Sequence, residues 1–204
     1  SIYQIIDREL LKERFDELNR NKAVGIDKVT KDAYLRNLPQ NLENLVNSLK
    51  TKKYKPMPPR RVYIPKSNGK LRSLAIASFE DKIVQLALKK VLEAIFEPRF
   101  SNNMYGFRKS LGCHDALAQV AYDIEWNYTS YVVEADIKGF FDNINHDNLM
   151  KCLKLHVKDT NILILVRKFL KAGVLDKGQF YVSEYGTPQG SIVSPILANI
   201  YMYY

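Results

Sequence analysis

The chain has very little cysteine and no long apolar run, and both shortages narrow what it can be. Cys113 and Cys152 are the only cysteines in 204 residues, too few and too far apart for a zinc motif or a disulfide framework. Both read as reduced residues in or near a core. No stretch approaches the roughly 20 apolar residues that a membrane span needs, and the opening SIYQIIDREL lacks the basic segment and apolar run of a secretory signal. A soluble, cytoplasmic protein without a membrane partner is therefore the expectation. His114, His146 and His156 have no metal-binding spacing and read as cap-adjacent or surface residues. There is no internal repeat and no low-complexity tract.

Acidic residues are missing from one long stretch. Between Asn44 and Phe79 there is none, whereas Lys50, Lys52, Lys53, Lys55, Arg60, Arg61, Lys66, Lys70 and Arg72 are all basic. This surplus of nine equals the net charge of the whole chain, in which 31 basic residues face 22 acidic ones. The positive field is thus concentrated on one segment, and phosphate is its natural target, because each neutralised phosphate releases a counterion. A solvated basic hairpin that protects a sheet edge is the competing reading.

What is present is a chain that is 46% hydrophobic, long enough to bury a sizeable core. Apolar spacing predicts helices in the first fifty residues, interrupted by NKAVGIDK and resumed near Thr30, with a stripe of Leu42, Leu45, Val46 and Leu49. The prolines of KPMPP exclude helix at 55–59. Residues 61–65 and 70–76 read as two strands joined at Ser67-Asn68-Gly69, where Asn-Gly suits a tight turn. Ser78 is a helix cap with Asp81 completing a capping box, and the helix that follows is apolar on two faces. Further helices are expected around Leu117–Ile124, from Asn145, over 162–170 and from Ile192, with strands at 131–136 (buried) and 179–183. The predicted class is α+β with antiparallel sheet elements and many helices.

Four segments carry a more specific signal. YIPKSNGKLRSLAIASFEDKIVQLAL (63–88), NMYGFRKSLGCHDAL (103–117), YVVEADIKGFFDNI (131–144) and GTPQGSIVSPILANIY (186–201) occur in this order. Together they resemble the fingers and palm of reverse transcriptases encoded by group II introns, and NKAVGID (21–27) is similar to the segment that precedes the core in those enzymes. The variant QGSIVSP differs from the QGxxxSQ of diversity-generating reverse transcriptases. The resemblance implies a right-hand polymerase arrangement, with fingers and an N-terminal helical extension over 1–110 and part of a palm over 111–204. It also implies an RNA-directed DNA polymerase with a maturase role in splicing and mobility. The implied partners are intron RNA, an RNA template with a DNA primer, and deoxynucleoside triphosphates.

The resemblance also implies roles for single residues. Asp136 matches the palm aspartate that binds both magnesium ions, helped by the carbonyl of Ile137, and Mg2+ suits such oxygen ligands. Alone, a strand-end aspartate would read as a cap or turn, as Asp142 does beside Asn143 and Asn145. Phe141, five residues after Asp136, matches the bulky gate against a 2′-hydroxyl, with Phe140 assigned to the core. Lys66 and Arg72 match the triphosphate-holding residues of the fingers, and Gln189 matches the glutamine of the nucleotide pocket. PQG is otherwise an ordinary turn. Gly106 and Arg108 match a template-contacting motif, ahead of Phe107, which also reads as a core anchor. Lys52, Lys53, Arg60 and Arg61 are the candidate RNA-binding residues.

One further shortage bears on activity. The sequence contains no Asp-Asp pair, whereas the family carries a Tyr-x-Asp-Asp hairpin that would follow within tens of residues of Tyr201. Two-metal phosphoryl transfer needs several carboxylates, so the expectation is a fingers and partial palm piece, inactive by itself and open to homo-oligomer formation through uncovered apolar surface. The alternative is a non-catalytic RNA-binding module that docks on intron RNA.

Overall fold

The computed structural model describes residues 1–65, 69, 71–127 and 129–204. Its elements run α1 (Arg8–Glu17), α2 (Lys31–Leu35), α3 (Leu38–Lys50), β1 (Arg60–Pro65), β2 (Leu71–Ile76), α4 (Phe79–Phe96), α5 (Cys113–Trp126), α6 (His146–His156), α7 (Thr160–Leu170), β3 (Val174–Asp176), β4 (Gln179–Tyr181) and α8 (Ser194–Tyr203). This is an α+β arrangement, as the patterning predicts.

The sheet has the order β2-β1-β3-β4. β1 and β2 pair antiparallel from Arg60 opposite Ile76 to Pro65 opposite Leu71, and β3 and β4 form a second antiparallel pair. A single parallel pairing, Arg60 with Leu175, joins the two hairpins, so the sheet is mixed. The expected tight turn at 67–69 lies mostly outside the described residues; Gly69 has φ +76°.

α4 is the central strut. Ile83, Val84, Ala87, Leu88, Val91, Leu92 and Phe96 are buried, which is the two-faced pattern of a helix enclosed by neighbours. α1 packs on one side of it, and α8 with α6 on the other. Phe15, Tyr34 and Phe79 cluster with ring centroids 4.9–6.1 Å apart. One apolar cluster runs from Ile6 through α4 to Ile200.

The start of α4 is tied down more elaborately than a capping box requires. Ser78 Oγ accepts from the Asp81 N–H. The Asp81 side chain, however, accepts from Tyr54 Oη and from the Met57 N–H at 2.9 Å, so it pins the proline-rich approach to β1 against the helix. Asp27 accepts from the Phe79 N–H at 2.7 Å, Lys82 donates to the Ala23 carbonyl at 2.5 Å, and Arg60 donates to the Val24 carbonyl at 3.0 Å. The NKAVGID segment is thereby strapped to both the helix and the hairpin.

Two expectations fail, and a third holds only in part. Residues 131–136 are not a buried strand but a solvent-facing segment without regular secondary structure, with Tyr131 88% and Val133 90% exposed. A strand needs a ladder partner to satisfy its backbone, and none of the described strands runs beside it. α5 forms, with the Asp115 carboxylate accepting from the Gly112 N–H at 2.7 Å, yet Leu117, Ile124 and Trp126 on it are exposed; Cys113 at its start is exposed too, not near-core. His146 is cap-adjacent as expected, directly after the N-cap Asn145 of α6, but it is not on the surface: it is 4% exposed, because the 185–189 loop folds over the start of α6. No helix among the described residues is long and apolar enough to cross a membrane.

Candidate active site

A cavity of about 450 Å³ opens between β2, the turn after Asp136 and the loop leading into α8. Arg72, Phe107, Phe141, Gln189, Gly190, Ser191, Ser194 and Pro195 line it. Three residues selected from the sequence, Arg72, Phe141 and Gln189, therefore meet in one place from positions 72, 141 and 189.

Local geometry explains the meeting. Gly139 has φ +62° and turns the chain into a short 3-10 segment, Phe140–Asp142. This turn gives the two phenylalanines different surroundings. Phe140 faces Tyr201, at 6.2 Å between centroids, and Phe141 meets Phe107 edge-on at 5.9 Å. Both rings pack against the core, and Phe141 is the one that also lines the cavity.

The loop carrying Gln189 is stitched to that turn and to β2. Gly186 N–H donates to the Ile144 carbonyl at 2.8 Å, Thr187 N–H to the Phe141 carbonyl at 2.9 Å, and Ala75 N–H to the Gln189 carbonyl at 2.6 Å. Gly186 must be glycine: its φ is +74°, and a Cβ would lie 2.7 Å from the Asp142 carbonyl oxygen and 2.8 Å from that of Phe141. From below, Gln85 of α4, 4% exposed, accepts through Oε1 from Ser191 Oγ at 2.9 Å and from the Ile192 N–H at 2.8 Å. Asp142 accepts from Gln189 Nε2 at 3.3 Å through each carboxylate oxygen.

His146 closes the far side, with Nε2 2.7 Å from the Gly186 carbonyl oxygen. That carbonyl only accepts, so Nε2 carries the proton, and Nδ1 is buried without a partner. Burial is the main influence that pulls the imidazole below its ordinary pKa; Lys171 adds to it and the Gly186 hydrogen bond opposes it. Burial likewise raises Asp81, against the hydrogen bonds from Tyr54, Ser78 and Met57.

The other sequence-selected residues lie elsewhere. Asp136 and Ile137 sit on the exposed segment and are not among the cavity-lining residues. Gly106 accepts from Asn199 Nδ2 of α8 at 2.9 Å. Arg108 is turned inward: it pairs with Glu97 at 2.7 Å and donates to the Ser101 and Met104 carbonyls. Arg61 faces Asp176 at 3.5 Å, Arg60 holds Val24, and the Lys52 carbonyl accepts from Lys168. Lys53 is exposed, and Lys66 lies outside the described residues.

Reverse transcriptases use divalent metal ions. The carboxylate of Asp136 and the carbonyl of Ile137 are oxygen donors of the kind magnesium takes, but among the described residues no group of three or more His, Cys, Asp or Glu side chains could hold a metal ion. The described donors do not fit a complete two-ion site.

Sequence reasoning missed Gln85, Gly186, His146 and the part played by Asp142. Gln85 was detectable in principle, as a polar residue between the two apolar faces of α4. Nothing in the local sequence marks His146.

Comparison with known proteins gives the family. The profile of the family described as reverse transcriptase (RNA-dependent DNA polymerase) matches residues 64–204. The group II intron-encoded protein LtrA of Lactococcus lactis subsp. cremoris is 40% identical over 190 residues, which is 93% of this chain and 31% of that protein. Protein YkfC of Escherichia coli (strain K12) is 39% identical over 179 residues, 86% of this chain and 47% of that protein. An uncharacterized 91 kDa protein in the cob intron of Schizosaccharomyces pombe is 37% identical over 199 residues, covering 98% of this chain and 24% of that protein. Among solved structures, a Cas6-RT-Cas1–Cas2 complex superposes with a TM-score of 0.61 at 25% identity, over 97% of this chain and 20% of that one. The chain spans less than half the length of each of these relatives.

Proposed function

Because this chain belongs to the reverse transcriptase (RNA-dependent DNA polymerase) family, we propose that it supplies the nucleotide-binding face of a group II intron reverse transcriptase and maturase. Residues 1–110 are the fingers with their helical extension, and 111–204 are part of the palm. The reaction is nucleotidyl transfer: the primer 3′-oxygen attacks the α-phosphorus of a deoxynucleoside triphosphate, the new P–O bond forms as the bond to pyrophosphate breaks, and the hydroxyl proton goes to solvent or base.

The observation that carries this reading is the convergence of Arg72, Phe141 and Gln189 on one cavity. Arg72 offers a planar fork of donors for phosphate oxygens, with Lys66 as a point charge nearby in sequence. The Phe141 ring takes the space that a 2′-hydroxyl would need, which favours deoxynucleotides. Gly190 has φ +98° and no side chain to keep a ligand off the backbone. Asp136 and the Ile137 carbonyl would hold magnesium, which in this family supplies charge stabilisation of the transferring phosphoryl group. Two ions need more carboxylates than Asp136 provides, so the 204 residues alone are expected not to extend a primer.

RNA template with DNA primer would lie against the basic hairpin, where Lys52, Lys53, Arg60 and Arg61 face phosphate, with Gly106 and Arg108 shaping the template side. Arg108 would do so by bracing the 100–108 loop through Glu97. A non-catalytic RNA-docking role is favoured by one separate fact, the concentration of the net charge in residues 50–72.

The test is primer extension on an RNA template by the full-length protein that contains this chain. Asp136→Asn should abolish extension, Arg72→Ala and Gln189→Ala should raise KM for deoxynucleotides, and Phe141→Ala should admit ribonucleotides. Unchanged KM in both Arg72→Ala and Gln189→Ala would overturn the assignment of the cavity.

A further inference from the structure

Gln189 has little freedom except in its side chain. Its carbonyl accepts from the Ala75 N–H at 2.6 Å, Thr187 two residues earlier is bonded to Phe141, and a Cβ on Gly190 would come 3.0 Å from the Ala75 carbonyl oxygen. With the backbone fixed, what Gln189 presents to a ligand depends on which way its amide is turned. An amide has a donating end and an accepting end, and the two differ in what they can bind.

Asp142 makes that choice. Its two carboxylate oxygens each lie 3.3 Å from Gln189 Nε2. An ionised carboxylate only accepts hydrogen bonds, so the reversed amide would set oxygen against oxygen. Asp142 is itself held: its N–H donates to the Gly139 carbonyl at 3.0 Å, and Gly186 packs closely on its carbonyl.

Asp142 does not line the 450 Å³ cavity. It borders a smaller one of about 120 Å³, with Arg61, Ser73, Thr187 and Tyr185, and Gln189 is a wall common to both. The Asp142 carboxylate therefore reaches the larger cavity through the Gln189 side chain that it contacts, not by lining the cavity itself.

We propose that Asp142 is a positioning residue for nucleotide selection: it holds the Gln189 amide so that Oε1, an acceptor, is the end offered to the incoming nucleotide. The group recognised is a hydroxyl donor, and on a deoxynucleoside triphosphate the free one is the 3′-hydroxyl. This rests on the reading of the larger cavity as the nucleotide site. A 2′,3′-dideoxynucleotide lacks the donor, so Asp142 contributes to discrimination against it.

The experiment measures kcat/KM for deoxy- and dideoxynucleotides with the full-length protein. Gln189→Ala and Asp142→Ala should each cut the deoxy/dideoxy ratio by up to about tenfold, the size expected when a hydrogen bond between neutral groups, here an amide oxygen and a hydroxyl, is lost. The double variant should be no worse than Gln189→Ala alone. Gln189→Glu cannot donate to Asp142 and should lose selectivity. Adding Asp142→Asn, which can donate to the new carboxylate while leaving its other oxygen as acceptor, should restore it. That reciprocal rescue is a readout a purely structural role would not produce, and the near-isosteric pair keeps the test independent of folding. If Gln189→Ala leaves deoxynucleotide KM and the ratio unchanged, the nucleotide reading of the cavity falls. If Gln189→Ala acts but Asp142→Ala is silent or additive, or if Asp142→Asn fails to rescue Gln189→Glu, the positioning role alone falls.

Discussion

Replacing Gln85 with leucine removes the support beneath the Gln189 loop without altering any residue that lines the cavity. Oε1 of Gln85 is the acceptor for two donors, Ser191 Oγ at 2.9 Å and the Ile192 N–H at 2.8 Å. In Gln85→Leu both lose their partner. An unpaired buried donor costs about 1–3 kcal/mol. Ile192 is half-buried and its backbone N–H cannot rotate to a new partner, whereas Ser191 lines the cavity, so its hydroxyl can rotate toward water at small cost. The leucine gains some apolar packing in return, on the order of 1 kcal/mol. The net expected loss is about 0.5–2 kcal/mol, which for a chain of this size lowers Tm by roughly 1–8 °C. Thermal and urea unfolding of the 204-residue chain would measure it. A second variant separates hydrogen bonding from shape. Gln85→Glu keeps acceptors for both donors but buries a charge when ionised, so its deficit should shrink toward wild type as pH falls to about the ordinary glutamate value of 4.3, whereas the leucine deficit should not depend on pH in that window. A Tm for Gln85→Leu within about 1 °C of wild type would refute the claim that α4 carries the loop through this amide.

Gly186→Ala should be worse than its size suggests, by about 1–3 kcal/mol, because it combines an unfavourable positive φ with a Cβ 2.7 Å from a backbone carbonyl that cannot swing away; amide exchange at Thr187 should accelerate, and an unchanged rate would sink the argument. His146 gives a pH dependence of definite sign. Its folded pKa lies below the ordinary 6.5, so the unfolded chain binds the extra proton first and stability falls as pH drops below about 6.5, until the folded pKa is reached. Asp81 and Glu80 act oppositely, since burial raises both: their contribution is full below the unfolded pKa and is lost as pH rises through the folded one. The urea midpoint difference between wild type and His146→Leu at pH 5 and pH 8 isolates the histidine, and no pH dependence of that difference would count against a neutral His146. Removing the charge of Lys52, Lys53, Arg60 and Arg61 should flatten the salt dependence of RNA affinity by about 0.7 for each phosphate no longer neutralised, with the lysines contributing more than Arg60 and Arg61, which already hold Val24 and Asp176; binding titrations at several salt concentrations would show an unchanged slope if that face does not meet phosphate.

How far the sequence reaches into this fold depends on whether the determining interaction is local. The helices α1, α3, α4, α6 and α7 follow from apolar spacing and from caps such as Ser78, Asn145 and Asp159, each of which accepts from an N–H within three residues. The hairpin β1-β2 follows from two short strand-like runs placed close together in the sequence. The segment 131–136 shows the limit: Val132 and Val133 have every local mark of a strand, but a strand is completed only by a partner, and sequence pattern cannot say whether the partner is there. Capping shows a subtler limit. The Ser78–Asp81 spacing is the signature of a reciprocal cap, and half of it forms, but the Asp81 carboxylate goes to Tyr54 and Met57 and Asp27 comes from fifty residues away to take the Phe79 N–H.

The same distinction runs through the site. Arg72, Phe141 and Gln189 could be named in advance because a family resemblance assigns residues one at a time, and each falls on the cavity wall. The interactions that aim them are relations between residues distant in sequence: Gln85 with Ser191, Thr187 with Phe141, Asp142 with Gln189. Its neighbours Asn143 and Asn145 assign Asp142 to a turn, and that is where it lies, yet its carboxylate can act on Gln189 only because Gly186 lets residues 185–189 pass within van der Waals distance of that turn. A glycine whose absent Cβ would meet two carbonyl oxygens is therefore as necessary to the orientation of the Gln189 amide as the carboxylate that accepts from it. Nucleotide selectivity in this chain should accordingly be sensitive to substitutions at positions 85, 142 and 186, none of which lines the larger cavity.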